Sequence, residues 1–280
     1  MPAKLIDGKK MSEKMLDAAK KEVASLSHKP CLAIVLVGDD PASLLYTRKK
    51  HEACKKVGIE SRNIHLPQTA SEKEVIDTVH KLNNDNGVDG ILVQVPMPNG
   101  INEDNVLAEV ALEKDVDGFH PASFGKLALN LPGIVPCTPR GVIRMLKESG
   151  VSLPGKHAVV IGRSRIVGKP LALLLLNENC TVTVCHSKTK DVGALSRQAD
   201  IVCVAVGRPK TLTGDMVKVG AIVIDAGTNR EGEKLVGDVD FESVSKKASL
   251  ITPVPGGVGP MTIAALVENT IHCCKERRGK

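Results

Sequence analysis

Apolar positions between Lys10 and Leu26 recur at helical spacing, and Pro30 then introduces an unbroken apolar run from Cys31 to Val37. The first pattern predicts a helix with one face in a core, the second a strand buried on both faces. Asp39, Asp40 and Pro41 supply start signals for a helix reaching about Val57. A strand near Ile59 to His65, a helix near Glu72 to Asn84 and a strand from Gly90 to Gln94 complete a first alternating series. The Pro-rich stretch LPGIVPCTP, Leu131 to Pro139, reads as a break or hinge. Beyond it, strands are expected at His157 to Ile161, Thr181 to Cys185, Ile201 to Val204 and Ala221 to Asp225, separated by helix-length segments. A last helix, Pro260 to Cys274, follows the loop PVPGGVG. Strands alternating with helices imply parallel sheets covered on both faces, so the expected class is α/β. We expect two α/β domains flanking a cleft, residues 1–135 and 136–258, the second with the pattern of a Rossmann-like nucleotide-binding fold.

Composition narrows the function. The 280 residues are 42% hydrophobic, ample for buried cores, yet only 1% aromatic, with no Trp, one Tyr and three Phe. Base stacking has almost no material to work with, and no nucleic-acid motif accompanies the net charge of +6, so a nucleic-acid role is not expected. The N-terminal residues lack an apolar leader core, and no apolar run approaches the roughly 20 residues that span a bilayer, which predicts a cytoplasmic protein without a membrane anchor. Eight Cys are scattered without a CxxC pair or matched His spacing, so neither disulfides nor a metal site is expected.

Two places carry chemistry. The strand HAVVIG runs directly into GRSRIVGKP, where a backbone cradle for a pyrophosphate would use Gly162, Ser164, Ile166 and Gly168 at the start of a helix. The spacing departs from GxGxxG, since Ser164 takes the middle glycine's place and Gly168 comes one position late, so a tight turn without ligand is the competing reading. The next strand ends TVTVCHSKT without an acid to grip a ribose hydroxyl, which favours NADP over NAD. Arg163, Ser187 and Lys188 are candidate donors to the extra phosphate, although Lys188 reads equally well as a surface cation. The strand ends AVGRP and DAGTN make Gly207 and Thr228 candidates for the nicotinamide edge.

In the first series, Tyr46 and Lys50 stand four residues apart and share a helix face. On the helix alone Lys50 is one cation among Arg48, Lys49, Lys55 and Lys56. The polar Gln94 ending an apolar strand before two prolines, and Asp117 in a Gly-containing loop that it could instead be capping, change that balance, because strand ends of parallel sheets are where ligands bind.

With these residues in view, the chain resembles the bifunctional methylenetetrahydrofolate dehydrogenase and methenyltetrahydrofolate cyclohydrolase family over nearly its whole length. The segments that carry the resemblance are DGK at Asp7, VGDDPASLLYTRKK from Val37, ILVQVPMP from Ile91, KDVDGFHP from Lys114, PCTPRG from Pro136, VVIGRSRIVGKP from Val159, TVTVCHSKT from Thr181, GDVDF from Gly237 and TPVPGGVGPMT from Thr252. The resemblance implies oxidation of 5,10-methylenetetrahydrofolate with NADP, then hydrolysis of the methenyl product to 10-formyltetrahydrofolate, a step of one-carbon metabolism that feeds purine biosynthesis. It implies that Tyr46 and Lys50 match the family's Tyr and catalytic Lys, Gln94 its Lys-tuning Gln and Asp117 its pterin-binding carboxylate. The folate would also lie along Val93 and Val95 and beside Pro255, Gly256 and Gly257. It further implies a homodimer, and a final helix, residues 259–280, that returns to the first domain.

Those roles fit elementary chemistry. Water attacking a methenyl cation must lose a proton to a nearby base that returns it on ring opening, and Lys50 suits this only if its neutral amine is accessible. A neutral amide such as Gln94 can hydrogen-bond that amine without locking its positive charge. Departures from the family pattern are Ser123 for the usual Asn, Val95 and Met97 for Leu, and Thr47 for Val, from which we expect modest changes in folate affinity. His120 and His186 lack ligand-spaced partners and read as structural. An enzyme with only one of the two activities is poorly discriminated by sequence. A silent nucleotide-binding scaffold is disfavoured, because it would need the glycines but not Tyr46, Lys50, Gln94 and Asp117 together.

Overall fold

The computed structural model describes residues 2–232 and 234–279. They form two compact units, one built from Glu13–Val135 and the chain from Ile263 onward, the other from the residues up to Ser12 and Pro136–Thr262.

The first unit has a three-stranded parallel sheet in the order β3 (Glu60–Leu66), β2 (Cys31–Val37), β4 (Gly90–Val93). Strand β2 reads CLAIVLV and is buried at all seven positions, as a central strand with helices on both faces requires. Helix α2 (Pro41–Val57) starts where Asp40 accepts the Ser43 N–H at 2.8 Å and stops at Gly58, whose φ of 91° is the left-handed conformation that glycine adopts without a Cβ penalty. Helix α3 (Glu72–Asn84) opens with a reciprocal capping box between Ser71 and Glu74. Its far end is tied by Lys114, whose fully buried ammonium donates to the carbonyls of Leu82, Asn83 and Asp85 at 2.8, 2.7 and 2.8 Å. The long C-terminal helix α10 (Val258–Arg278) gives all but its first turn to this unit. Asp89, with no exposed surface, accepts from the Cys31 N–H at 2.9 Å, Arg277 Nη1 at 2.9 Å and Arg278 Nε at 2.6 Å, and so fastens the end of α10 beside the sheet.

The second unit carries a six-stranded parallel sheet in the order β1 (Lys4–Leu5), β11 (Leu250–Ile251), β8 (Ile222–Asp225), β7 (Ile201–Val204), β5 (His157–Ile161), β6 (Thr181–Cys185). From β5 the chain moves to β6 on one side and returns to β7 on the other, so the strand order reverses at β5, the position where open α/β sheets bind ligands. An antiparallel ribbon, β9 (Asn229–Glu231) with β10 (Lys234–Val236), leaves the sheet after β8.

The units differ from the expected division at the N-terminus. Residues up to Ser12 belong with the second unit because β1 pairs with β11, and the Ile6 N–H extends that ladder to the Ile251 carbonyl at 2.9 Å. The break read at Leu131 to Pro139 holds the passage from one unit to the other, at Val135–Pro136, but its last three residues are the first turn of helix α6 (Cys137–Glu148). Pro139 sits where its missing N–H would have had no partner in the helix.

All eight Cys are reduced and buried. Burial pushes the thiols of Cys54, Cys203 and Cys273 up to about 12, which leaves them as small apolar side chains. Among the described residues no helix is long and apolar enough to cross a membrane, and no group of three or more His, Cys, Asp or Glu could hold a metal ion.

Candidate active site

Helix α2 leaves the carboxyl end of β2 and presents Tyr46 and Lys50, both half-buried, one turn apart. Lys50 Nζ donates to Gln94 Oε1 at 2.9 Å. Gln94 follows the last residue of β4, with its N–H on the Val35 carbonyl at 2.8 Å and its side-chain Nε2 donating to the Val95 carbonyl at 2.6 Å. With the amide NH₂ committed to Val95, the oxygen is the face turned to the amine. A carbonyl accepts from a neutral amine as well as, more strongly, from an ammonium, and it favours the charge far less than a carboxylate would, so the contact holds Lys50 in place without locking its charge.

Asp117 lies half-buried in the loop between a single 3-10 turn (Leu112–Lys114) and helix α5 (Pro121–Ala128). That loop is shaped by Asp115, a residue that sequence reasoning passed over. Its buried carboxylate accepts the N–H groups of Phe119 and His120 at 3.2 and 3.0 Å and the hydroxyl of Ser123 at 2.8 Å. Ser123, the departure from the family pattern, is therefore a buried strut of the Asp117 loop. His120 accepts the Ala122 N–H on Nδ1 and caps α5, a structural part. Val93 is 2% exposed and belongs to the apolar core of this unit, against which Val95 is partly packed.

In the second unit, Gly162 ends β5 with φ 131° and Gly168 opens helix α7 (Gly168–Asn177). A methyl group on Gly162 would collide with the Ala205 carbonyl beyond β7, and one on Gly168 with the Gly162 carbonyl. Strand end, crossing loop and helix start are thus main chain against main chain, the close approach a backbone phosphate cradle requires. Ser164 Oγ accepts from Val167 N and Gly168 N at 3.1 and 3.3 Å and orders the turn. Arg163 and Ser164 are exposed, and Ile166 is half-buried.

After β6, His186 donates its N–H to Thr189 Oγ1 at 3.0 Å and accepts the Lys188 N–H on Nδ1 at 3.1 Å, closing a tight turn. Ser187 and Lys188 face solvent on it. The first acid beyond this strand, Asp191, is occupied in capping helix α8 (Val192–Ser196). Gly207, with φ 68°, and Thr228 are exposed on the loops that follow β7 and β8. Pro255, Gly256 and Gly257 lie in this second unit, where the Gly256 carbonyl accepts the Lys9 N–H at 2.9 Å and Gly257 is buried.

A parallel sheet whose strand order reverses at a glycine-lined turn, joined in one chain to a unit bearing an amide-held lysine, defines a two-unit α/β enzyme with a nucleotide-binding half. More narrowly, the chain belongs to the tetrahydrofolate dehydrogenase/cyclohydrolase family: residues 6–117 match its catalytic domain and residues 136–278 its NAD(P)-binding domain. It is 54% identical over 277 residues to the bifunctional protein FolD of Campylobacter hominis, covering 98% of each chain. The crystal structure of the bifunctional enzyme FolD from Campylobacter jejuni superposes with a TM-score of 0.95 at 50% identity, over 98% of this chain and 99% of that one. The Trypanosoma brucei methylenetetrahydrofolate dehydrogenase-cyclohydrolase, solved with NADP cofactor and inhibitor, gives a TM-score of 0.95 at 37% identity, over 99% of this chain and 98% of that one.

Proposed function

We propose that this chain oxidises 5,10-methylenetetrahydrofolate to 5,10-methenyltetrahydrofolate with NADP and hydrolyses the product to 10-formyltetrahydrofolate, with Lys50 as the proton carrier of the second step. The observation that carries this reading is the 2.9 Å hydrogen bond from Lys50 Nζ to Gln94 Oε1, on the helix face shared with Tyr46.

The residues of the second unit fit the cofactor. Gly162 and Gly168 let the strand end and the helix start meet main chain to main chain, the packing a pyrophosphate cradle at a helix start needs, with Ser164 and Ile166 in the same turn. Arg163, Ser187 and Lys188 supply donors for a 2′-phosphate where no carboxylate competes, and Gly207 and Thr228 border the nicotinamide half. NADP, when bound, accepts the hydride. The protein's share of that step is orientation of the pterin, by Tyr46 stacking along it and by Asp117 accepting two hydrogen bonds from its amino-pyrimidinone edge. Backbone at Val93 and the side chain of Val95 complete the folate contacts of the first unit in this reading.

Hydrolysis then needs one group that moves a proton twice. As water adds to the methenyl carbon, a neutral Lys50 amine takes one proton and a hydroxyl adduct forms; as the C–N5 bond breaks, the ammonium returns that proton to N5 while the adduct's hydroxyl loses its own proton to solvent and becomes the formyl C=O. Gln94 holds the amine through both states, because its oxygen accepts from either. The 10-formyl product serves formyl transfer, as in purine biosynthesis. We place the protein in the cytoplasm as a homodimer on its family likeness, and sedimentation should give a mass near twice 29.7 kDa. A mass of one chain at micromolar concentration would contradict the dimer.

Lys50→Met should cut methenyl hydrolysis by about 10²- to 10⁴-fold, the usual worth of a general acid-base group, while NADP still binds. An unchanged rate would remove Lys50 from its role. Arg163→Ser should raise the KM for NADP by about 10- to 100-fold and leave the KM for NAD nearly unaltered, as loss of a charged hydrogen bond to one phosphate predicts. Equal changes for both cofactors would contradict the assignment of Arg163.

A further inference from the structure

The motif GDVDF carries part of the family resemblance but no part of the chemistry above. Its Asp238 has no exposed surface and yet is an anchor for three successive peptide groups. Oδ2 accepts the N–H groups of Val206 and Gly207 at 2.7 and 3.0 Å, and Oδ1 accepts that of Arg208 at 2.8 Å and the Asn229 side chain at 2.9 Å. This is an anion nest with a side chain of the same protein as its anion. Asp225, the last residue of β8, makes the companion arrangement. Its Oδ1 accepts the N–H groups of Gly227 and Asp238, each at 2.9 Å, its Oδ2 accepts that of Val239 at 2.9 Å, and its own N–H reaches Thr252 Oγ1 at 2.7 Å.

Glycine makes both arrangements possible. A methyl group on Gly227 would strike the Asp238 carboxyl, and one on Gly237 the Asp225 carboxyl, so the backbone passes each carboxylate at a distance only glycine allows. The two acids thereby fix the loop carrying Gly207 and the loop carrying Thr228, the first directly and the second through Gly227. The run held by Asp238 begins next to Ala205, whose carbonyl abuts Gly162 in the phosphate cradle.

We infer that Asp225 and Asp238 are positioning residues for the dehydrogenase step, holding the loops after β7 and β8 in the conformation that receives the nicotinamide half of NADP. The inference rests on the reading of Gly207 and Thr228 as the border of that half. Both acids are buried and act through the peptide groups they hold. Replacing Asp238 by Asn would exchange an acceptor oxygen for an NH₂ facing backbone donors, releasing at least one peptide of the 206–208 run.

The test uses the full chain and two nucleotides, NADP and adenosine 2′,5′-bisphosphate, the second lacking the nicotinamide half. Asp238→Asn should weaken NADP binding by about tenfold or more in calorimetry, leave adenosine 2′,5′-bisphosphate binding unaltered, and speed amide hydrogen exchange at residues 206–208. Equal loss of both nucleotides would overturn the inference, since Asp238 would then serve the unit as a whole, and so would undiminished NADP binding. If Asp238→Asn fails to fold, Asn229→Ala, which removes one donor from Oδ1, should give the same split at smaller size, and its absence would overturn the inference. If the unsubstituted protein bound adenosine 2′,5′-bisphosphate but gained nothing from the nicotinamide half, the border reading of Gly207 and Thr228 would fail first, separately from any effect of Asp238.

Discussion

In the proposed mechanism, the chemistry of the first unit depends on one hydrogen bond, from the Lys50 amine to the Gln94 side-chain oxygen. Everything around it serves to present a carbonyl rather than a carboxylate to that amine. The apolar strand β4 delivers Gln94 to the sheet edge, the Val95 carbonyl takes up its NH₂, and a capped helix aims Lys50 at what remains. A carboxylate in the same place would favour the ammonium and disable a base, whereas an apolar residue would leave the amine without direction. A neutral acceptor is the option that lets one side chain be base and acid in turn.

Elsewhere the protein uses carboxylates freely, but as fixtures. Asp89, Asp115, Asp225 and Asp238 are all buried, and each accepts at least one backbone N–H. Burying an ionised carboxylate costs several kcal/mol, offset only when its oxygens are fully engaged. Their locations follow a rule: each stands where irregular chain must hold a defined shape, at the seat of α10, in the Asp117 loop, and beyond β7 and β8. For Asp225, burial still pushes the carboxyl upward against the three amide donors that pull the other way.

Much of this was legible in the chain. Long apolar runs such as β2 and β5, and helices with sharp start signals such as α2 and α3, declare themselves because burial and capping are local demands. The pairing of Lys50 with Gln94 was foreshadowed by a polar residue ending an apolar strand. What stayed hidden depends on distant partners. The two-residue strands β1 and β11 have no period to detect and exist because they pair with each other and with β8. The Pro-rich segment before α6 reads as a break because proline signals both loops and first helical turns. In KDVDG, spacing does not tell the buried, loop-shaping Asp115 from the half-buried Asp117, and nothing near Gly237 announces that its neighbour Asp238 will hold peptides some 30 positions earlier in the chain.

The claim at the centre is that the amine works because its neighbour is uncharged, and the pH dependence of methenyl hydrolysis in Gln94→Glu against the unsubstituted enzyme tests it most directly. A carboxylate beside Lys50 stabilises the ammonium, so the rising limb of the rate profile should move toward alkali by about one pH unit or more, with slower hydrolysis at neutral pH. Superimposable profiles of equal height would contradict the account.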